Sequence, residues 1–178
     1  MKKNSTVDYI NIFDYYLHIE LLFKYGDFME NNNKNILIKP VTDTSVLVSI
    51  FVNVFNKDPW NENWNSEYAR KNLYDLENTP QFFGLVASYN NVAVGAILGN
   101  IKYFGTTKTY YIEHFFVDKK YRHLGIGSSL YNSAIKELKE KGVTGAFFTT
   151  KKDSDAYHFY IRQGTVDLTD SSVMYHRF

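Results

Sequence analysis

The sequence predicts an α/β protein of the α+β kind, with a mixed, mostly antiparallel central sheet flanked by helices. Three observations lead there. From Gln81 to Val117 the apolar period is that of strands, broken at Asn90-Asn91 and at Gly105-Thr106-Thr107, so three antiparallel strands follow one another. A loop, Arg122-His123-Leu124-Gly125-Ile126-Gly127, then leads into a helical pattern. Beyond that helix lies another apolar run, Val143 to Thr150, and a helical crossover between two strands makes them parallel.

Composition sets the outer bounds. A chain of 178 residues, 44% hydrophobic and 17% aromatic, suits one domain with a substantial core. A net charge of +1 gives no excess of Lys and Arg for gripping a nucleic acid. The absence of cysteine removes a disulfide scaffold, a Cys-based zinc site and a Cys nucleophile. No apolar run reaches membrane-spanning length and no signal peptide is evident, so a soluble, cytoplasmic protein is expected. No set of His and carboxylates has metal-ligand spacing, and no metal is expected.

Residues 1–35 form a unit of their own. Val7, Ile10, Phe13, Leu17, Leu21 and Phe28 recur near helical spacing, which predicts a helix over about 7–28. The polar run Met29 to Asn35 reads as a linker, and Met29 as an alternative start. Such a helix would dock on the domain or on a second subunit, and a homodimer is compatible with it. The domain proper then covers 36–178.

Ile36 to Lys39 alternates as a short strand before Pro40. Thr42 or Asp43 can cap a helix with Val46, Leu47, Ile50, Val54 and Phe55 on its apolar face. Asn56 to Asn65 follows, holding Trp60 and Trp64, with Asp58, Glu62 and then Glu67 close by. It reads either as a loop anchored by its rings or as a substrate-facing lid suited to a cationic amine. Ser66 is expected to cap a helix through about Glu77, which Thr79-Pro80 ends. Phe82 to Tyr89 and Val92 to Phe104 make a hairpin, with Gly95 and Gly99 marking bulges or bends.

Tyr110 to Val117 is the strand on which the rest depends. The loop after it and the unpaired amides of the next helix's first turn form a cradle for a negative group, with a pyrophosphate as natural guest. Leu130, Ala134, Ile135 and Leu138 face that helix's core, and Lys139, Lys141 and Gly142 mark its end. Asp153-Ser154-Asp155 can cap a short helix from Ala156 to Gln163. Two last strands are expected near Val166–Leu168 and Val173–Phe178.

Alone, Arg-x-x-Gly-x-Gly is a weak signal. Here Glu113 stands in the preceding strand, a helix and strand follow, and Ala156-x-x-Phe159-Tyr160-x-x-x-Gly164 comes after. Together these resemble the GNAT acyltransferase superfamily over roughly 36–178. The block from Ile112 to Ser128 is most similar to the spermidine/spermine and other small-amine acetyltransferases. The resemblance implies acetyl transfer from acetyl-coenzyme A to an amine. It places the pantetheine arm along the backbone of Phe115, Phe116 and Val117, one of whose amides would polarise the thioester carbonyl. The pyrophosphate would lie on backbone amides from His123 to Ser128 (Leu124, Gly125, Ile126 and Gly127 between them), with Arg122 opening the motif. Asp153 stands where many relatives carry Asn, and His123 where glycine is frequent, which requires ordinary backbone angles there. Lys119, Lys120, Lys151 and Lys152 would be near the coenzyme's 3′-phosphate.

A protonated amine must lose a proton before it attacks, and Glu113 is the carboxylate placed to take it. Its apolar neighbours Tyr111, Ile112, Phe115 and Phe116 would bury it and raise its pKa; otherwise it faces solvent or an ion pair. Tyr160 stands at the family's position for the group that protonates the departing thiolate. Strict alternation would turn His114 away from Glu113, beneath the sheet. Trp60, Trp64 and Glu62 are the expected substrate contacts. With no Cys, direct attack without a covalent intermediate is expected. A Rossmann enzyme lacks its third glycine here, a P-loop its Gly-Lys-Ser/Thr, and a serine hydrolase its Gly-x-Ser-x-Gly. Two alternatives stay open: a non-catalytic acyl-coenzyme-A-binding regulatory module, and a protein or peptide N-acetyltransferase.

Overall fold

The computed structural model describes residues 36–178; the helix expected over 7–28, the Asn-rich linker and Met29 lie outside the described residues. The sheet has five strands in sequence order: β1 (Ile36–Pro40), β2 (Phe82–Tyr89), β3 (Val92–Phe104), β4 (Thr107–Val117) and β5 (Gly145–Phe147). The first four pair antiparallel, and β5 joins β4 parallel at Thr109–Gly145, Tyr110–Ala146 and Tyr111–Phe147. Asn90 and Asn91 both take positive φ, 49° and 64°, the geometry that matches a two-residue turn to the twist of its strands.

Helices cover both faces. On one side a 3-10 turn (Thr44–Leu47), α1 (Val48–Phe55) and α2 (Ser66–Glu77) bury Leu47, Phe51 and Leu73 against Ala96, Leu98 and Phe116. On the other, α3 (Ile126–Glu140) lays Ile126, Leu130, Ala134 and Leu138 over Leu85, Ile97, Tyr110 and Ile112, with α4 (Asp155–Arg162) adding Tyr160. Strand β3, buried from both sides, therefore reads as a nearly continuous apolar run. Inside this core the Tyr110 hydroxyl donates to the Phe83 carbonyl at 2.9 Å, which satisfies a buried phenol.

The caps differ slightly from expectation. Asp43 is the residue that accepts from the Ser45 amide, at 2.8 Å. Asn65, not Ser66, caps α2, accepting from the Tyr68 amide at 2.8 Å; its backbone is extended, as a cap requires. Ser154 caps α4 through the Tyr157 amide at 3.1 Å.

Both glycine positions in β3 coincide with register shifts. Val94 is skipped opposite the Ala87/Ser88 step, beside Gly95, and Glu113 is skipped opposite the Leu98/Gly99 step. An added Cβ on Gly99 would fall 1.9 Å from the Tyr111 carbonyl oxygen, so the bulge requires a glycine there.

Two expectations fail at the C-terminal end. The apolar run from Val143 pairs over only three residues as β5, and Val166–Leu168 and Val173–Phe178 are not strands. The segment is held by isolated contacts instead: the Thr165 amide donates to the Tyr160 carbonyl at 3.2 Å, and Asp167 accepts from the Tyr157 hydroxyl at 3.3 Å and lies 3.9 Å from Lys152. No ladder forms on the outer edge of β5 among the described residues.

Candidate active site

The site is built where β4 parts from β5. Pairing between them ends at Tyr111, so from Ile112 to Val117 the β5-facing edge of β4 has no neighbouring strand among the described residues. Phe115, Phe116 and Val117 pair with Ile97, Ala96 and Gly95 on the other edge. Alternate backbone groups of this stretch are thus directed into the gap.

Glu113 is the extra residue of the β4 bulge, and it is exposed. The burial expected from its apolar neighbours is absent, because the bulge lifts this residue out of the ladder. The same bulge breaks the alternation. Tyr110 and Ile112 belong to the core under α3, and Phe115 and Val117 pack there too. His114 and Phe116 face α1 instead.

His114 is a structural member of that face. Its Nε2–H donates to Asn72 Oδ1 on α2 at 2.8 Å, and its ring stands edge-on to Phe51 (4.8 Å) and Phe55 (5.7 Å). Burial pushes the imidazole down to about 4, so it is neutral near pH 7. Trp60 reaches this group through Phe55, 6.1 Å away. Trp64 packs edge-on against Phe51 at 5.1 Å, and its indole N–H donates to Glu62. Asn56 clamps the loop by exchanging hydrogen bonds with the Trp64 backbone, at 2.8 and 2.7 Å. These contacts are those of a loop anchored by its rings, with the Glu62 carboxylate occupied by Trp64.

After β4 the chain makes a braced turn. Asp118 accepts from the Lys120 amide at 3.0 Å and from Asn53 on α1 at 3.4 Å, while Arg122 Nε donates to the Val117 carbonyl at 3.3 Å. The Arg122 side chain therefore holds the loop's own backbone. His123 then takes φ 63° and Gly125 φ 76°. The ordinary angles required at His123 are not found; it occupies the left-handed region, which His tolerates better than most side chains. Asp153 is likewise left-handed, at φ 59°, where an Asn would also fit.

Within α3 the first closed bond runs from the Ser129 amide to the Gly125 carbonyl at 2.9 Å. The amides of His123 to Ser128 have no acceptor among the described residues, although the loop is well braced around them. That is the donor set of an anion site at a helix N-terminus. The residues present therefore fit a diphosphate.

Tyr160 comes to the same region from α4. It is 7% exposed and stacks on Phe148 at 4.0 Å, with Phe115 and Tyr131 at 6.0 and 6.1 Å. Burial, with the neighbouring Tyr131, pushes its phenol well above the ordinary value, so it keeps its proton. Its hydroxyl makes no hydrogen bond to a described residue, unlike that of Tyr110. Asn72, Phe148 and Tyr131 were not foreseen as site neighbours, since nothing local in the sequence distinguishes them from surface or core positions.

Among the described residues no group of three His, Asp or Glu could hold a metal ion, and no helix is long and apolar enough to cross a membrane.

This splayed sheet with a glycine loop at the fork is the architecture of an acyltransferase domain. The chain belongs to the acetyltransferase (GNAT) family, whose model matches residues 51–165. Solved structures share the fold. A possible acetyltransferase from Clostridium difficile 630 is 18% identical with a TM-score of 0.68, covering 82% of this chain and 99% of that one. An aminoglycoside acetyltransferase from an uncultured soil metagenomic sample, in complex with sisomicin, is 22% identical with a TM-score of 0.59, covering 82% and 97%. A transcriptional regulator from Bacillus halodurans C-125 is 17% identical with a TM-score of 0.66, covering 80% and 99%. No curated protein is found to match.

Proposed function

We propose that the chain is an acetyl-coenzyme-A-dependent N-acetyltransferase acting on the primary amine of a small cationic substrate. The observation that supports this best is the row of unpartnered amides from His123 to Ser128, next to an open β4 edge. In this reading those amides and α3's N-terminus hold the diphosphate, and the backbone of Phe115 to Val117 holds the pantetheine arm. Acetyl-coenzyme A supplies an activated thioester.

Glu113, exposed at the bulge, attracts the ammonium group and takes its proton directly or through water. The freed nitrogen forms the amide bond as the carbon–sulfur bond breaks. A β4 amide steadies the carbonyl oxygen. Tyr160, kept protonated by burial, donates a hydrogen bond to the leaving sulfur. The sulfur gains one proton and the amine loses two, one of which leaves to solvent. Family membership and a neighbour bound to sisomicin support a small polyamine or aminoglycoside as acceptor. In this reading the loop of Trp60, Trp64 and Glu62 borders the acceptor, with Glu62 held by the Trp64 indole.

A thiol-release assay of the full chain against polyamines, aminoglycosides, amino acids and peptides tests this. Glu113→Gln and Tyr160→Phe are each expected to lower kcat by about 10²-fold or more. Coenzyme A uptake in calorimetry without turnover of any amine would instead favour a non-catalytic regulatory module. A peptide as best acceptor would favour protein N-acetylation.

A further inference from the structure

A cavity of about 590 Å³ opens beside Tyr160, between the C-terminal half of α3, β5, α4 and the C-terminal segment. Its wall includes Tyr131, Ile135, Leu138, Phe148, Ile161 and Val166. We propose that this cavity receives the acyl chain of the donor, so that the protein uses acyl-coenzyme A substrates longer than acetyl in preference to acetyl-coenzyme A. This rests on the acyl-transfer mechanism above and replaces acetyl with longer acyl groups as its preferred donor.

Direction along α3 carries the argument. The unpartnered amides stand at its N-terminus, and its 15 residues extend roughly 22 Å from there. The cavity begins on α3 at Tyr131 and ends at Lys139; it touches neither the loop 122–128 nor Phe115 to Val117. It therefore does not overlie the path from diphosphate to thioester. It continues that path past Tyr160, the residue placed at the sulfur. Only what is attached beyond the sulfur, the acyl group, would enter it.

The wall fits such a guest. A volume of this size lies within the roughly 300–1,000 Å³ of small-molecule sites and far exceeds the needs of one methyl group. With the thioester carbonyl held at β4, only the apolar chain beyond it enters, and that suits a mostly apolar wall. The charged rim residues Lys152 and Asp167 face each other at 3.9 Å.

Calorimetry of the full chain with coenzyme A and its acetyl, butyryl, hexanoyl and octanoyl thioesters tests this directly, alongside thiol release at one fixed amine. Affinity and kcat/KM are expected to rise roughly three- to fourfold per methylene until the cavity is full. Ile161→Trp fills the cavity from its rim, where Ile161 is 42% exposed, so folding is not at risk. It should abolish the rise and leave acetyl-coenzyme A binding and turnover unchanged; Ile135→Trp, from the opposite wall, should do the same. A flat profile, or a rise untouched by both variants, overturns the acyl pocket while acetyl-coenzyme A turnover keeps the acyltransferase reading. If coenzyme A and all four thioesters fail to bind, the acyltransferase reading itself falls, and the pocket with it.

Discussion

Leu85, Val94, Ile97 and Tyr110, in the strands β2 to β4, are wholly covered, whereas Val166, Val173, Met174 and Phe178 are 80% exposed or more. Both regions are apolar segments with strand-like alternation. They differ in what stands beside them. Each strand of the meander meets its partner across a short turn, and helices close both faces. Strand β5 has a neighbour for three residues, and the segment after α4 has no ladder partner among the described residues, only one backbone bond from Thr165 to Tyr160, local turns and side-chain ties. Apolar alternation produces a strand only where a ladder partner exists, because unpaired backbone groups cannot be buried. The closed region is therefore packed on both faces, while the cavity opens against the other.

The sharpest way to break this contrast is to cut equal side chains from the two regions. Phe51 is wholly buried and touches Phe55, Trp64, His114 and Phe116. Phe51→Ala should cost about 3–5 kcal/mol in urea unfolding, against less than about 0.5 kcal/mol for Phe178→Ala. Equal losses would show that the C-terminal segment is packed after all.

Acid should strike the closed region next. Burial holds the folded His114 imidazole at about 4, below its unfolded value near 6.5. Across that window the unfolded chain takes up a proton that the folded chain does not. Stability should thus be full above pH 7 and fall as pH drops towards 4, by up to about 3 kcal/mol. His114→Gln, which can still donate to Asn72, should flatten the dependence; an unchanged slope would assign it to other groups.

A smaller effect than that of Phe51→Ala or of acid, and of opposite sign, falls at the fork itself. A Cβ on Gly127 would lie 3.8 Å from the Phe115 and Phe159 rings, in ordinary contact. Gly127→Ala should therefore fold normally and gain up to about 1 kcal/mol from helix propensity. The added methyl fills space between β4 and α4, so coenzyme A affinity should fall. Unaltered affinity would remove Gly127 from the coenzyme's path.

Much of the fold was legible along the chain. The bounds of β2 and β3 agree with their sequence pattern residue for residue, since Asn90-Asn91 settles the turn and the apolar runs end at it. Strand β4 starts earlier than its apolar run, at Thr107, because the Gly105 turn pairs Thr107 with Phe104 and carries Thr and Lys into the ladder. The glycine loop at α3's N-terminus and the place of Tyr160 on a short helix after β5 were legible from local pattern. The exposure of Glu113, the left-handed His123 and the occupied Glu62 were not.

By itself the sequence determined the order of strands and helices, the two-residue turn and the loop at α3's N-terminus. These depend on dihedral preference and apolar period, which act within a few residues. Only the tertiary structure decided which carboxylate is exposed, which imidazole is neutral, how short β5 is and where a cavity opens. Each of those depends on a partner distant in sequence (Gly99 for the bulge at Glu113, Asn72 and Phe51 for His114, α3 for the cavity), and burial is a property of the assembled neighbours.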